Sequence, residues 1–354
     1  MRRALLTALV TSAVLTTARS DVRGHAAIPR PRGYVAVRTA GPLVVDGRLD
    51  DAAWAAAPWT DAFVDIEGDA KPKPALDTRV KMLWDDRYFY IGAELREPDL
   101  WAYITRHDAV IFHENDFEVF IDPDGDSHAY YEFEINARGT FWDLFLPEPY
   151  RAGGRPMNSW EIPGLRSAVH LDGTLNNPRD RDRGWSVELA MPWAVLGEQT
   201  RQAAPPKDGD QWRVNFSRVE WTPETRNGAY RAKPGVAEHN WVWSPQHAVD
   251  MHRPERWGYV QFSAKAAPFV PDAAWPARQW LQSVYEAERE FRTAHARYAD
   301  TLAGLGVAAP VAAPLRAPRL FVTPSLFEAS IELAVTGRPV EVWHIRQDAR
   351  VWRD

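Results

Sequence analysis

The sequence contains no cysteine, which excludes disulfide bonds, thiolate zinc sites and cysteine nucleophiles. It also lacks an apolar run of about 18 residues, so we expect no membrane-spanning helix. Basic side chains are not in excess, because 42 lysines and arginines stand against 48 acidic residues and give a formal net charge of −6. A nucleic-acid-binding surface needs an excess of positive charge, so this balance argues against a nucleic-acid partner.

Two common enzyme motifs are missing as well. The sequence has no Gly-x-Ser-x-Gly nucleophile motif and no phosphate-binding glycine loop. In contrast, the 354 residues include 17 tryptophans and 28 prolines, with 45% hydrophobic residues. This is the composition of a globular chain with a sizeable core. Tryptophan serves in cores and on sugar-stacking surfaces, and frequent proline indicates loops and strand edges rather than a helical protein.

The first twenty residues have the pattern of an export signal. Arg2 and Arg3 precede an apolar run over residues 4–17, and small residues follow at Ala18 and Ser20. A frayed N-terminal helix is the alternative. We therefore predict a signal peptide over residues 1–20, cleaved near Ser20, and an extracellular or periplasmic location.

Residues 34–262 alternate between apolar and polar side chains with a period of two, as in Phe89, Ile91 and Ala93 or in Trp212, Val214 and Phe216. Such alternation is typical of antiparallel strands that cover a core with one face. Turn-forming clusters of proline, aspartate and glycine separate the runs. We predict an all-β fold, an antiparallel β-sandwich of two packed sheets with about ten short strands. One small helix is expected around residues 50–57.

The pattern changes after the sandwich. Residues 277–305 place Leu281, Val284, Phe291 and Tyr298 at helical spacing, which predicts a long amphipathic helix. Three short apolar runs then predict strands over residues 320–322, 327–335 and 340–345. We interpret residues 277–354 as a helix and a β-hairpin that are too small for a core of their own and dock on the sandwich.

Five sequence segments of the sandwich region resemble those of a known family. They are residues 44–54, residues 80–90, residues 115–122 with 131–136, residues 185–192, and residues 243–260. Together and in this order they resemble the family 9 carbohydrate-binding modules, over about residues 34–262. The resemblance implies an exported, immunoglobulin- or jelly-roll-like sandwich that binds plant polysaccharides such as xylan or cellulose and is not itself a catalyst. Modules of this family hold a sugar between two tryptophans and contain structural calcium.

The resemblance also assigns site residues one by one. The first of the two tryptophans that hold the sugar in this family corresponds to about Phe112, and the second corresponds to Met251 or His252. The sugar-binding glutamate of the family corresponds to Glu118. Its sugar-binding arginine corresponds to about Glu134, so the charge at that position is reversed. Asn136 shares the polar strand face with Glu134, and Trp243 is a candidate stacking ring in a loop. We therefore predict a carbohydrate site at these positions, namely Phe112, Glu118, Glu134, Asn136, Trp243 and Met251. An ordinary solvated sheet face is the alternative.

The tryptophans fall into two groups by position. Trp54, Trp84, Trp185 and Trp212 lie on the apolar faces of their elements and are predicted in the core. Four others stand in or near loops, where they could form a stacking platform or pack beneath the loops: Trp142, Trp160, Trp241 and Trp243.

A metal site is suggested by Asp122, Asp124 and Asp126, whose oxygens recur at alternating positions as in calcium-binding loops. An acidic β-turn explains the same pattern.

Two further functions stay open at this point. Glu118 and Glu134 could form the carboxylate pair of a glycoside hydrolase. Met251 and His252 could hold a b-type haem, as a relative of this fold does, since no CxxCH motif is present.

Overall fold

The structure is a computed structural model that describes residues 28–41, 43–310 and 313–354. The predicted signal peptide, residues 1–20, lies outside the described residues. Within the described part of the chain, no helix combines the length and apolar character needed to cross a membrane.

Alternating side chains form a large sheet of twelve strands, as the period-two pattern predicts. Its strands are β1 (Gly33–Arg38), β2 (Val64–Asp65), β3 (Thr78–Trp84), β4 (Tyr88–Arg96), β5 (Asp116–Asp122), β6 (Tyr130–Asn136), β7 (Phe141–Leu146), β8 (Arg166–Asp172), β9 (Gly184–Pro192), β10 (Gln211–Glu220), β13 (His239–Val242) and β14 (Gly258–Ser263). A separate hairpin pairs β11 (Pro223–Arg226) with β12 (Ala229–Ala232). Two short helices, α1 (Ala52–Ala56) and α2 (Trp193–Leu196), lie beside the large sheet.

The large sheet is continuous, in the order β7-β6-β5-β10-β14-β1-β3-β4-β9-β8, with β13 joining β10 and β2 joining β13. The prediction of an all-β fold is confirmed, but the prediction of two separate antiparallel sheets needs a correction. β1 runs parallel to both β14 and β3 and so links the two halves through backbone hydrogen bonds. The two halves still face each other, because they contribute to one hydrophobic core.

That core receives side chains from both halves of the sheet. Val80 and Ile91 come from one half, and Phe117 and Val214 come from the other, all fully buried. The four tryptophans predicted to be in the core, Trp54, Trp84, Trp185 and Trp212, are buried. Since each strand gives its apolar face to this interior, the opposite face of β5, β6 and β10 is left to carry polar groups.

The C-terminal region contains a helix and a small sheet. The helix α3 (Trp275–His295) is followed by four antiparallel strands, β15 (Leu315–Val322), β16 (Phe327–Leu333), β17 (Glu341–Arg346) and β18 (Val351–Arg353). The predicted hairpin is therefore a four-stranded sheet, and the helix ends ten residues earlier than predicted (295 rather than 305).

This region has a core of its own, which corrects the prediction that it is too small for one. Leu281 and Val284 of α3 pack with Ile331 and Ile345 of the small sheet, and all four are fully buried. Tyr298 is buried just after the helix, whereas Phe291 is only half-buried. The helix covers one face of the small sheet, which is sufficient to form a second hydrophobic cluster.

The C-terminal region contacts the large sheet at the turn between β5 and β6. The Arg278 guanidinium donates to the Gly125 carbonyl over 2.6 Å, and the Val351 amide donates to the Asp126 carbonyl over 3.0 Å. Arg350 pairs with the Asp126 carboxylate at 3.0 Å. The acidic turn predicted as a metal loop thus anchors the C-terminal region.

Candidate functional site

The polar face of three adjacent strands carries the candidate site. Antiparallel pairing of β5 with β6 sets Glu118 directly opposite Glu134. On the other side of β5, pairing with β10 sets Ser217 opposite Glu118. Directly opposed residues share one face of a sheet, so the two carboxylates and the hydroxyl come together in a row across the strands.

A cavity of about 460 Å3 opens above this face. Glu118, Glu132 and Glu134 lie at its floor beside Phe120. The walls are largely aromatic or apolar and include Phe112, Trp142, Tyr150, Met251 and His252. The structure therefore brings Phe112, Glu118, Glu134 and Met251, four of the six predicted carbohydrate-site residues, to one cavity.

Phe112 is held at the rim by a carboxylate of the floor. It belongs to a single 3-10 turn over Ile111–His113, and the backbone amides of Ile111 and Phe112 both donate to Oε2 of Glu134 over 3.2 Å. The Phe112 side chain is 39% exposed although it stands next to a buried strand pair. Glu134 thus has a positioning role besides facing the cavity.

The floor is rich in carboxyl groups that burial makes harder to ionise. Burial raises the pKa of Glu118 to about 7. Burial and repulsion from Glu118 raise the pKa values of Glu132 and Glu134 well above their ordinary range. The pKa of Asp116, two residues before Glu118 on β5, is raised for the same two reasons. Desolvation penalises the charged form of each carboxyl group, so the floor binds protons more tightly than free carboxylic acids do.

Met251 and His252, the pair considered for haem, both line the cavity. The His252 Nδ1 lies 3.0 Å from the Tyr130 hydroxyl, and the Tyr150 ring packs edge-on against the imidazole with 4.4 Å between ring centroids. Burial and the nearby Arg151 lower the pKa of His252 to about 3, so this ring is neutral over the physiological range. The imidazole therefore places no positive charge beside the carboxylates.

Two buried polar atoms of the cavity lack a protein partner. Among the described residues, Oε2 of Glu132 and Nε1 of Trp142 make no hydrogen bond. Trp142 lies on β7 directly opposite Glu134, so the donor and the acceptors face the same space. Buried polar groups are nearly always paired, so a bound molecule that carries both donors and acceptors would satisfy this cavity.

Two predicted site residues belong elsewhere, which corrects their assignment. Trp243 is 1% exposed and packs in the hydrophobic core against Phe216, so it offers no surface to a sugar. Asn136 is fully buried, and its amide group is used by the chain itself. The side chain donates to the Ile104 carbonyl over 3.0 Å and accepts from the amides of Arg138 and Thr140 over 3.1 Å.

The reasoning from sequence missed Tyr150 and Phe120. Tyr150 lies in a loop after β7, where no periodicity marks it, and the fold of that loop brings its ring to the cavity. Phe120 interrupts the polar face of β5, where alternation predicts another polar residue. Trp142 was included among the loop tryptophans and does line the cavity.

The side chains of Asp122, Asp124 and Asp126 each offer one oxygen within 4.8 Å of the others. Several of these carboxylate oxygens accept hydrogen bonds from backbone amides of the turn itself. Both oxygens of Asp122 accept backbone amides, from Gly125 and Ser127, over 2.9 Å. Asp126 pairs with Arg350. The alternative of an acidic β-turn therefore explains these residues well, and calcium at this turn stays a prediction.

Comparisons with known proteins identify proteins similar to part of this chain. Residues 45–142, which include β5, β6 and most of the cavity floor, match the family described as carbohydrate family 9 binding domain-like. This part of the chain is similar to that family. The resemblance predicted from the sequence is confirmed over these residues.

Curated relatives include an exoglucanase from Acetivibrio thermocellus, 27% identical over 175 residues, which are 49% of this chain and 13% of that enzyme. An endo-1,4-beta-xylanase from Thermoanaerobacterium saccharolyticum is 28% identical over 162 residues, 46% of this chain and 12% of that enzyme. The matched part of this chain thus spans about an eighth of the length of each enzyme. Among solved structures, a family 9 module from Caldicellulosiruptor kristjanssonii in complex with cellotriose has 14% identity and a TM-score of 0.43. That match covers 68% of this chain and all of the module.

Proposed function

We propose that this protein is an exported carbohydrate-binding protein that holds a sugar chain in the cavity above β5 and β6 without cleaving it. One observation carries the proposal. Exposed aromatic rings at the rim, Phe112 and Tyr150, stand beside buried carboxylates at the floor, Glu118 and Glu132. Sugar rings present apolar C–H faces and polar hydroxyl edges, so a saccharide matches both kinds of surface.

The chemistry of each group supports this assignment. Carboxylates accept hydrogen bonds from sugar hydroxyls, and the indole N–H of Trp142 can donate to a hydroxyl oxygen. The unpartnered atoms of Glu132 and Trp142 would gain partners on binding. The family match over residues 45–142 supports the same class of ligand.

The relatives suggest which sugars to test. Their names describe an exoglucanase and an endo-1,4-beta-xylanase. We therefore propose β-1,4-linked glucose or xylose chains, such as cellulose and xylan fragments, as ligands of this protein.

The arrangement of the carboxylates supports binding rather than hydrolysis. One oxygen of Glu134 accepts two backbone amides and holds the Phe112 turn, which is a structural task rather than that of a catalytic acid or base.

The test is calorimetric titration of the mature protein with cellohexaose and xylohexaose. The Phe112→Ala variant should bind five- to tenfold more weakly, because loss of one stacking ring costs about 1 kcal/mol. Phe321→Ala is the matched control, since Phe321 is an exposed phenylalanine of the C-terminal sheet, away from the cavity. Equal weakening in both variants, or none in either, would contradict this site.

A further inference from the structure

Two irregular segments of the chain form one wall of the cavity. Tyr150 begins the 3-10 turn Tyr150–Ala152, and Met251 and His252 come just before a second 3-10 turn, Pro254–Arg256. We call Tyr150, Met251 and His252 the Tyr150 wall. Segments outside the sheet move more readily than strands do, so the position of this wall depends on the side chains that hold the two segments.

A buried ion pair joins the two segments. Arg151, the residue after Tyr150, donates from both terminal nitrogens to the two carboxylate oxygens of Glu255, over 3.1 and 2.7 Å. Burial alone would raise the pKa of Glu255, but Arg151 and Arg253 lower it to about 2, so this carboxylate is charged over the physiological range. A bidentate pair between charged groups fixes geometry as well as charge.

The helix α3 of the C-terminal region continues this network. Arg253, in the second segment, donates to Glu255 and to Glu286 of α3, over 3.1 Å in each case. The Arg151 guanidinium lies 5.5 Å from the ring centroid of Tyr285, which is buried on the same helix. A cation near an aromatic face is favourable, and more so away from water. Each segment of the wall is thus attached to α3 by one arginine.

Glu286 is itself held in place on the helix. Its Oε1 accepts from the side-chain amide of Gln282 over 3.1 Å, and its Oε2 lies 3.3 Å from a terminal nitrogen of Arg289. Isolated ion pairs contribute little, whereas several charges in one network contribute more. The carboxylate of Glu286 therefore offers Arg253 a fixed partner instead of a freely moving surface charge.

We propose that the helix α3 is a positioning element of the cavity and holds the Tyr150 wall in its binding position. Glu286 acts through Arg253, and Tyr285 acts through Arg151. The effect on ligands rests on the proposed carbohydrate function, because a wall that is fixed before binding lowers the cost of ordering it around a sugar. The C-terminal region then raises sugar affinity without contacting the sugar.

The first experiment is calorimetric titration of the mature protein and its variants with cellohexaose and xylohexaose. Glu286→Ala should weaken sugar binding three- to fivefold, because α3 no longer holds the second segment. Glu290→Ala is the matched control, since Glu290 is an exposed glutamate of the same helix. In a Tyr150→Ala background, Glu286→Ala should have a smaller effect, because the ring that it helps to position is absent. A general loss of stability would weaken binding equally in both backgrounds.

Hydrogen exchange tests the positioning without a sugar. The amides of residues 148–153 and 249–256 should exchange faster in Glu286→Ala than in the parent, and Glu290→Ala should leave them unchanged. Faster exchange confined to these two segments, with an affinity loss that depends on Tyr150, supports the proposal. Unchanged exchange overturns it, as does exchange that accelerates equally throughout the large sheet.

The two experiments separate this proposal from the carbohydrate function. A parent that binds neither sugar defeats the carbohydrate function, and the exchange result still decides whether α3 holds the wall. A parent that binds sugar as tightly as its Glu286→Ala variant defeats the positioning role alone.

Discussion

Replacing Glu118 by glutamine should change how the stability of the protein depends on pH. Burial raises the pKa of Glu118 to about 7 in the folded protein, whereas an ordinary glutamic acid titrates near 4.5. The folded state therefore holds this proton between pH 4.5 and 7, where the unfolded chain has released it. Stability that depends on this proton is fully present below pH 4.5 and is lost as the pH rises towards 7.

The magnitude follows from the size of the shift. A difference of one pKa unit between the folded and unfolded states corresponds to about 1.4 kcal/mol. The raised pKa of Glu118 therefore changes the free energy of unfolding by about 3 kcal/mol between low and high pH. Glutamine resembles the protonated acid and does not titrate. The parent and the Glu118→Gln variant should therefore be similarly stable at pH 4.5, and the variant should be about 3 kcal/mol more stable at pH 8.

Urea unfolding of both proteins at pH 4.5, 6, 7 and 8, in the presence of a chelator, measures this difference. Taking the difference between the two proteins removes the contributions of titratable groups that do not interact with Glu118. His252, for example, has a lowered pKa and on its own would make the folded state more stable as the pH rises. A stability difference that stays constant from pH 4.5 to 8 would refute the account of a buried, uncompensated Glu118.

Two further substitutions test the packing around the site. Glu188→Ala should cost about 3 kcal/mol of stability, since it leaves the Trp54 indole N–H and the amides of Asp46 and Gly47 without their buried acceptor. A thermal melt within 1–2 °C of the parent would contradict this, and the exposed Glu94→Ala is the control. Leu281→Ala should cost about 2–5 kcal/mol through a cavity in the C-terminal core. Hydrogen exchange should then accelerate in β16 and β17 but not in β5, and uniform acceleration would disprove the second core.

Local patterns in the sequence predict much of the fold. Alternation in β5 and β6 indicates both strands and their buried faces, and the short turn after Asp122 makes them neighbours, so the pairing of Glu118 with Glu134 follows. The continuous sheet does not follow, because it depends on β1 pairing with β14, more than 220 residues along the chain. Period-two patterning carries no information about which distant strand supplies the hydrogen bonds.

The local character of these patterns also explains which site residues the sequence predicts and which it misses. Alternation identifies the face of a strand but not whether a loop covers it, so Asn136 was assigned to a sugar although the chain uses its amide internally. Trp243 stands next to a loop in the sequence, yet the chain turns its ring into the core. Tyr150 reaches the cavity only through the path of an irregular loop, for which no periodic signal exists.

The C-terminal core was missed for a related reason. Its last strand, β18, has three residues and gives too short a run to recognise by alternation. Without β18 and the early part of β15, the region resembles a hairpin with little to bury. The added strands allow the small sheet to cover one face of α3.

The most direct test of the central claim is a crystal structure of the mature protein with cellohexaose or xylohexaose bound. We predict a sugar ring in the cavity, against Phe112 and Tyr150, with hydroxyl groups within hydrogen-bonding distance of Glu118 and Glu132. A sugar chain bound on another surface, with the cavity above β5 and β6 unchanged, would contradict the account.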